Sequence, residues 1–122
     1  MADKHPQDGK VRLDKTVHER ARLMILTYLA SDPEGTAGFV DLKDELGFSA
    51  GNLSIQVKNL EEAGYVGIEK SFKDNKPYTE VILTEAGDAA LQDYLDEMER
   101  LGTRLIDHIR LDAQEAGHKV LS

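Results

Sequence analysis

The period of the hydrophobic pattern changes at Gly64, and no other feature of the sequence limits the fold as much. Before that glycine the apolar residues Leu53, Val57 and Leu60 recur at i, i+4 and i+7. This is the spacing of one buried helix face, over about 50–63, with Ser49 as its start signal and Gly64 as its stop. After the glycine come two β-rich runs, from Tyr65 to Phe72 and from Tyr78 to Leu83, around the polar stretch Lys73-Asp74-Asn75-Lys76-Pro77. Such runs about a polar loop predict a β-hairpin. Upstream, Val40, Leu42 and Leu46 predict a short helix over 39–46 that Gly47 terminates. Two helices parted by about three residues that include glycine form a helix-turn-helix, here directly ahead of a hairpin.

The flanks add two further helices. Val17, Ala21, Met24, Ile25, Tyr28 and Leu29 trace an amphipathic stripe from Leu13 onward. Asp14 or Thr16 is its N-cap, and the stretch from Ser31 through Pro33 to Gly35 stops it. Thr84 caps the last helix, with Glu85 and Asp88 in the first turn, where the helix dipole favours acids. This helix is expected to reach about residue 115. Leu91, Leu95, Met98, Leu101 or Gly102, Leu105 and Ile109 set a seam of nearly 3.5-residue period along it. One small core cannot cover so long a seam. Pairing with a second copy, helped by the first helix, would bury it; the alternative is packing along its own domain with a bend at Gly102.

The fold class expected is mainly α with a small β-hairpin (α+β), a winged helix-turn-helix with a long C-terminal helix. Four segments follow: a polar arm over 1–12, the winged domain over 13–83, a dimerisation helix over 84–115 and a tail over 116–122. A length of 122 residues suits one domain plus one extra element. The absence of cysteine excludes disulfides, a thiol nucleophile and thiolate metal sites. No apolar run approaches a membrane span, and the polar first residues lack the apolar region of a signal peptide, so a cytoplasmic protein is expected. Nucleotide-loop, zinc-protease and nucleophile-elbow motifs are missing, and no enzymatic role is expected.

Three stretches, VHERARLMILTYLA, LGFSAGNLSIQVKNLEEAGYV and VILTEAGDAALQDYL, are similar to small winged-helix transcriptional regulators of the MarR (multiple-antibiotic-resistance) and ArsR (arsenical-resistance) groups. The similarity spans roughly 13–101. It is most specific where SxxNLSxxxKxLEEAGYV and LTEAG occur together. The resemblance implies a third helix in the DNA major groove, a hairpin wing on backbone or minor groove, and terminal helices that form a homodimer.

The residues are chemically suited to that role. With Leu53, Val57 and Leu60 inward, Gly51, Asn52, Ile55, Lys58 and Asn59 face outward, and Ser54 and Gln56 lie on the flanks. Together with Ser49 they form the candidate recognition surface. Ser and Asn can donate to phosphates or bases, Gln can address adenine, and Lys can meet phosphate or guanine. Gly51 allows close backbone approach, and Ile55 suits a thymine methyl. On the wing, Lys70, Lys73, Asn75 and Lys76 gather positive charge able to neutralise phosphates. The plain alternative for both sets is a solvated surface.

The net charge of −8 argues superficially against nucleic acid. Its distribution answers part of the objection, although residues 48–83 carry four basic and five acidic side chains. Residues 1–24 carry six basic and four acidic side chains, whereas 84–122 carry four basic and nine acidic. The strip of useful positive charge is thin, so binding should be salt-sensitive and require a dimer. A rival function from another class is a winged-helix module that binds protein through the Ile55 face without DNA. His108, Asp112, Glu115 and His118 lie near one another in sequence, but only His108 and Asp112 have clean i, i+4 spacing. Neither a metal site nor a cofactor is expected, and the sequence does not specify an effector.

Overall fold

A computed structural model of the protein describes the backbone of residues 12–121 and the side chains of residues 12–111. Its elements run α1 (Arg20–Ser31), β1 (Thr36–Gly38), α2 (Phe39–Leu46), α3 (Ala50–Glu62), β2 (Val66–Lys73), β3 (Lys76–Leu83) and α4 (Glu85–Leu121). The described residues fall into two compact units, Leu13–Tyr94 and the stretch from Leu95 onward.

The first unit is a helical domain with a small antiparallel sheet of strand order β1-β3-β2. Ile25, Leu26, Leu29, Leu42, Leu53, Val57, Leu60, Val66, Val81 and Leu91 are buried together in its core. All three apolar positions that define the α3 face are therefore buried together. Helix ends follow local chemistry. Gly47 ends α2 in the left-handed conformation at φ 74°, and Gly64 takes φ 82° just after α3. A side chain bearing Cβ pays a steric penalty there, whereas glycine does not. Ser49 caps α3 by accepting a hydrogen bond from the Asn52 amide at 3.1 Å.

Three features differ from the sequence expectation. The first helix begins at Arg20 rather than near Leu13, and its N-cap is Glu19, which accepts from the Arg22 amide at 3.1 Å. Asp14 instead organises a separate turn, accepting from the Thr16 and Val17 amides at 2.8 and 3.1 Å. Val17 is still buried in the core, so the apolar period continues although the helical backbone does not. The second difference is β1, whose Thr36-Ala37-Gly38 is too short to show a strand period. It pairs with β3 in the register Thr36↔Ile82 to Gly38↔Glu80. Third, α4 remains helical through Leu121, past the expected end near residue 115, and continues through Gly102. Residues 1–11 of the arm over 1–12 lie outside the described residues, as do the side chains of the tail.

The glycine of the LTEAG string has a packing reason. A Cβ at Gly87 would lie 2.1 Å from the Tyr65 carbonyl oxygen, so only glycine lets the first turn of α4 meet the residue that leads into β2. Thr84 secures the same junction. Its hydroxyl donates to the Gly64 carbonyl at 2.7 Å and accepts from the Gly87 amide at 3.0 Å.

Candidate nucleic-acid interface

The burial of Leu53, Val57 and Leu60 turns the opposite side of α3 to solvent. Gly51, Asn52, Ser54, Ile55, Lys58 and Asn59 are all exposed, and Ser49 is exposed at the cap. Ile55 is 60% exposed, which is unusual for a β-branched apolar residue on an otherwise polar face. Around Gly51 a Cβ would meet nothing within 4 Å, so internal packing gives no reason for glycine there. Gln56 differs from its neighbours in being half-buried.

Gln56 is half-buried because of Arg22, a residue outside the expected site. From α1, Arg22 donates through a terminal guanidinium nitrogen to Gln56 Oε1 at 2.9 Å and through Nε to the Thr16 carbonyl at 2.7 Å. Gln56 Nε2 in turn donates to Asn52 Oδ1 at 3.2 Å. A cation from another helix thus holds Gln56 directly and reaches Asn52 through it. By sequence, Arg22 is only one of the six basic side chains of residues 1–24. The contact joins positions 34 apart, and no local period encodes it.

The wing is a tight hairpin. Asp74 and Asn75 form its turn with φ of 54° and 64°, the left-handed conformation that two-residue hairpin turns require and that Asp and Asn tolerate. The connection is thus shorter than the polar stretch suggested, and Lys73 pairs directly across from Lys76. Like charges so placed repel, and an anion between them would relieve the cost. Lys73 also lies over the Tyr78 ring, 4.9 Å from its centroid. Lys70, Lys73, Asn75 and Lys76 are all exposed, and so is Phe72, at 76%. Beyond its pairing with β1, β3 is bonded on one side only, and Pro77, which offers no N–H, is tolerated there. An open groove of about 360 Å³ separates α3 from the wing, with Ser54, Lys58, Glu61, Ile68, Lys70 and Thr79 among its lining residues.

The seam residues divide between the two units. Leu91 does not belong on a surface for a partner: it is 1% exposed and packs with Tyr94 in the core of its own domain. The expectation for this residue is corrected, because the first turns of α4 close the winged domain. Leu95, Met98, Leu105 and Ile109 are exposed, together with Leu101, Ile106 and Leu111. Among the described residues no three His, Asp or Glu side chains gather as a metal site, and no helix is long and apolar enough to cross a membrane. The side chains of Asp112, Glu115 and His118 lie outside the described residues. His18 sits at the domain edge, its Nδ1 2.7 Å from the Tyr94 hydroxyl.

Comparison with known proteins agrees with this geometry. The chain is similar to the transcriptional regulator homologue from Pyrococcus horikoshii OT3, with 27% identity and a TM-score of 0.69 over 74% of this chain and 87% of the other. Sco3205 of Streptomyces coelicolor, a MarR family regulator solved in complex with DNA, matches at 20% identity and TM-score 0.58, covering 82% and 74% of the two chains. AbsC, a MarR family regulator from the same organism, matches at 22% identity and TM-score 0.59, over 80% and 73%. These relatives are transcriptional regulators rather than enzymes. Comparison with curated protein sequences finds no match. The sequence pattern of the winged helix DNA-binding domain matches residues 21–101, from the first helix into the last. The chain therefore belongs to the winged helix DNA-binding domain family, with the fold of MarR-type transcriptional regulators.

Proposed function

We propose that the protein is a cytoplasmic, sequence-specific regulator that binds double-stranded DNA as a homodimer. In this reading α3 enters the major groove, and the wing over 70–78 grips backbone or minor groove. The observation that carries it is the exposed face of α3. Small and polar groups capable of reaching base edges occupy it, and the open side of Gly51 leaves room for a duplex to approach. The wing lysines supply contacts to phosphate that are independent of sequence. The relative solved with DNA supports the partner class. The exposed apolar residues of α4 support self-association, and a two-fold pair would present its recognition helices roughly 34 Å apart, one turn of DNA.

The test is an anisotropy titration with the DNA upstream of the protein's own gene. Binding should be specific against competitor DNA. It should fall sharply when Lys58→Ala, Lys73→Ala and Lys76→Ala are combined. Unchanged binding in that variant would rule out the assigned surface. The exposure of Ile55 and Phe72 favours one second reading, a module that docks protein on the same face. That reading predicts no salt-dependent DNA binding at all.

A further inference from the structure

The hydrogen bonds that converge on Gln56 have a direction, and the direction carries chemical information. A guanidinium can only donate, so the group Arg22 holds at 2.9 Å is the amide oxygen of Gln56. The other end of the guanidinium is fixed by the Thr16 carbonyl at 2.7 Å, within the turn that Asp14 organises. Arg22 is therefore clamped between a backbone carbonyl and α3. With its oxygen held on that side, Gln56 donates one N–H to Asn52 Oδ1 at 3.2 Å. The oxygen of Asn52 is turned toward Gln56 by that bond. With each oxygen already accepting one bond, the pair offers mainly N–H: one on Gln56 Nε2 and two on Asn52 Nδ2.

We infer that Arg22 is a specificity-determining positioning residue, and that through it Asn52 and Gln56 read guanine instead of adenine. The inference rests on the DNA-binding reading above. A free glutamine pairs with adenine by accepting from N6 and donating to N7. With Oε1 turned to Arg22, the bidentate pairing with N6 and N7 is lost, and an adenine amino group facing the pair would meet mostly donors. Guanine offers two acceptors in the major groove, N7 and O6, and suits a surface in which donors predominate. The positions fit as well. Asn52 and Gln56 stand at i, i+4 in the N-terminal half of α3, the part of a recognition helix that contacts bases. Arg22 touches no base in this scheme. It acts by fixing which way the Gln56 amide points.

The experiment selects binding sites from randomised duplexes with the full chain, its Arg22→Met variant and its Gln56→Glu variant. The bound pools are sequenced, and single-base-pair changes are then titrated by anisotropy. The wild-type half-site should contain a guanine whose replacement by adenine weakens binding about tenfold, the scale of one good base contact. Arg22→Met should admit adenine at that position and reduce the preference to about threefold or less, with the rest of the site unchanged. Gln56→Glu replaces the donor by an acceptor held on the same guanidinium, and cytosine should take the place of guanine there. If Arg22→Met fails to fold by circular dichroism, Gln56→Glu carries the test alone. A wild-type site with adenine or cytosine at the position that Gln56→Glu alters would overturn the inference while leaving DNA recognition standing. So would a selected site that is identical in every folded variant. Enrichment of no site by the wild-type chain would overturn DNA recognition itself, and the inference with it.

Discussion

Gly51 separates the demands of folding from those of binding. It sits near the start of α3, where glycine weakens a helix, and open space surrounds the place a Cβ would occupy. Gly51→Ala should raise stability by about 0.5 kcal/mol in urea denaturation while weakening DNA binding. A variant that gains stability and binds DNA as before would show that nothing approaches the helix there. Tyr65 offers a second test at this scale. Its hydroxyl donates to Asp14 Oδ2, and its pKa is pushed up from 10 to about 12, first by burial and then by the hydrogen bond and negative charge of Asp14. The fold thus favours the protonated phenol. This contribution is complete below about pH 10 and is lost as pH rises through about 12. Urea midpoints over that range should fall for the wild type and fall less for Tyr65→Phe. The exposed face of α3 was legible from residue identities and a helical period alone. The Arg22 contact was not, because it depends on how α1 packs against α3.

At the scale of elements, the helix-turn-helix and hairpin were legible because each boundary carries its own signal. Gly47, Ser49, Gly64 and Thr84 stop or cap their helices by local geometry, whatever the tertiary context. Strand β1 carries no signal of its own, since three residues hold no period and its pairing comes from β3. The start of α1 lies later than the sequence predicts because Asp14, a good cap residue, uses its carboxylate in a preceding turn. The string Leu83-Thr84-Glu85-Ala86-Gly87 was recognisable in sequence, but only the contact with the Tyr65 carbonyl explains its glycine. Gly87→Ala should therefore destabilise the domain by about 2–3 kcal/mol, the cost of forced overpacking, as read by chemical denaturation. A change under about 0.5 kcal/mol, typical of an unconstrained surface site, would mean that α4 and β2 do not meet so closely. For the wing, replacing Lys70, Lys73 and Lys76 by alanine should make log affinity less steep against log salt. The slope should drop by about one for each phosphate that a lysine no longer neutralises. Binding should weaken by a similar factor on every DNA sequence.

For the whole molecule, the charge of −8 is a matter of placement. The wing lysines stand on a hairpin beside α3, while acids dominate the last segment of the chain. The seam on that segment was legible as a period, but not where it changes function. Leu91 belongs to the core of the winged domain, and exposure begins at Leu95. If residues from Leu95 onward bring two copies together, Leu105→Asp with Ile109→Asp should convert a dimer into a monomer in sedimentation. Loss of bivalent engagement should then weaken binding to a two-half-site duplex by about a hundredfold. A wild-type chain that sediments as a monomer at micromolar concentration would remove the dimer from the proposal. The most direct measurement is a chemical footprint of the protein on its selected DNA, reading major-groove contacts base by base. Two symmetric protections roughly 34 Å apart, both absent with the Lys58→Ala, Lys73→Ala, Lys76→Ala variant, are the predicted result. A single protected half-site, or no protection at saturating protein, would contradict recognition by paired α3 helices.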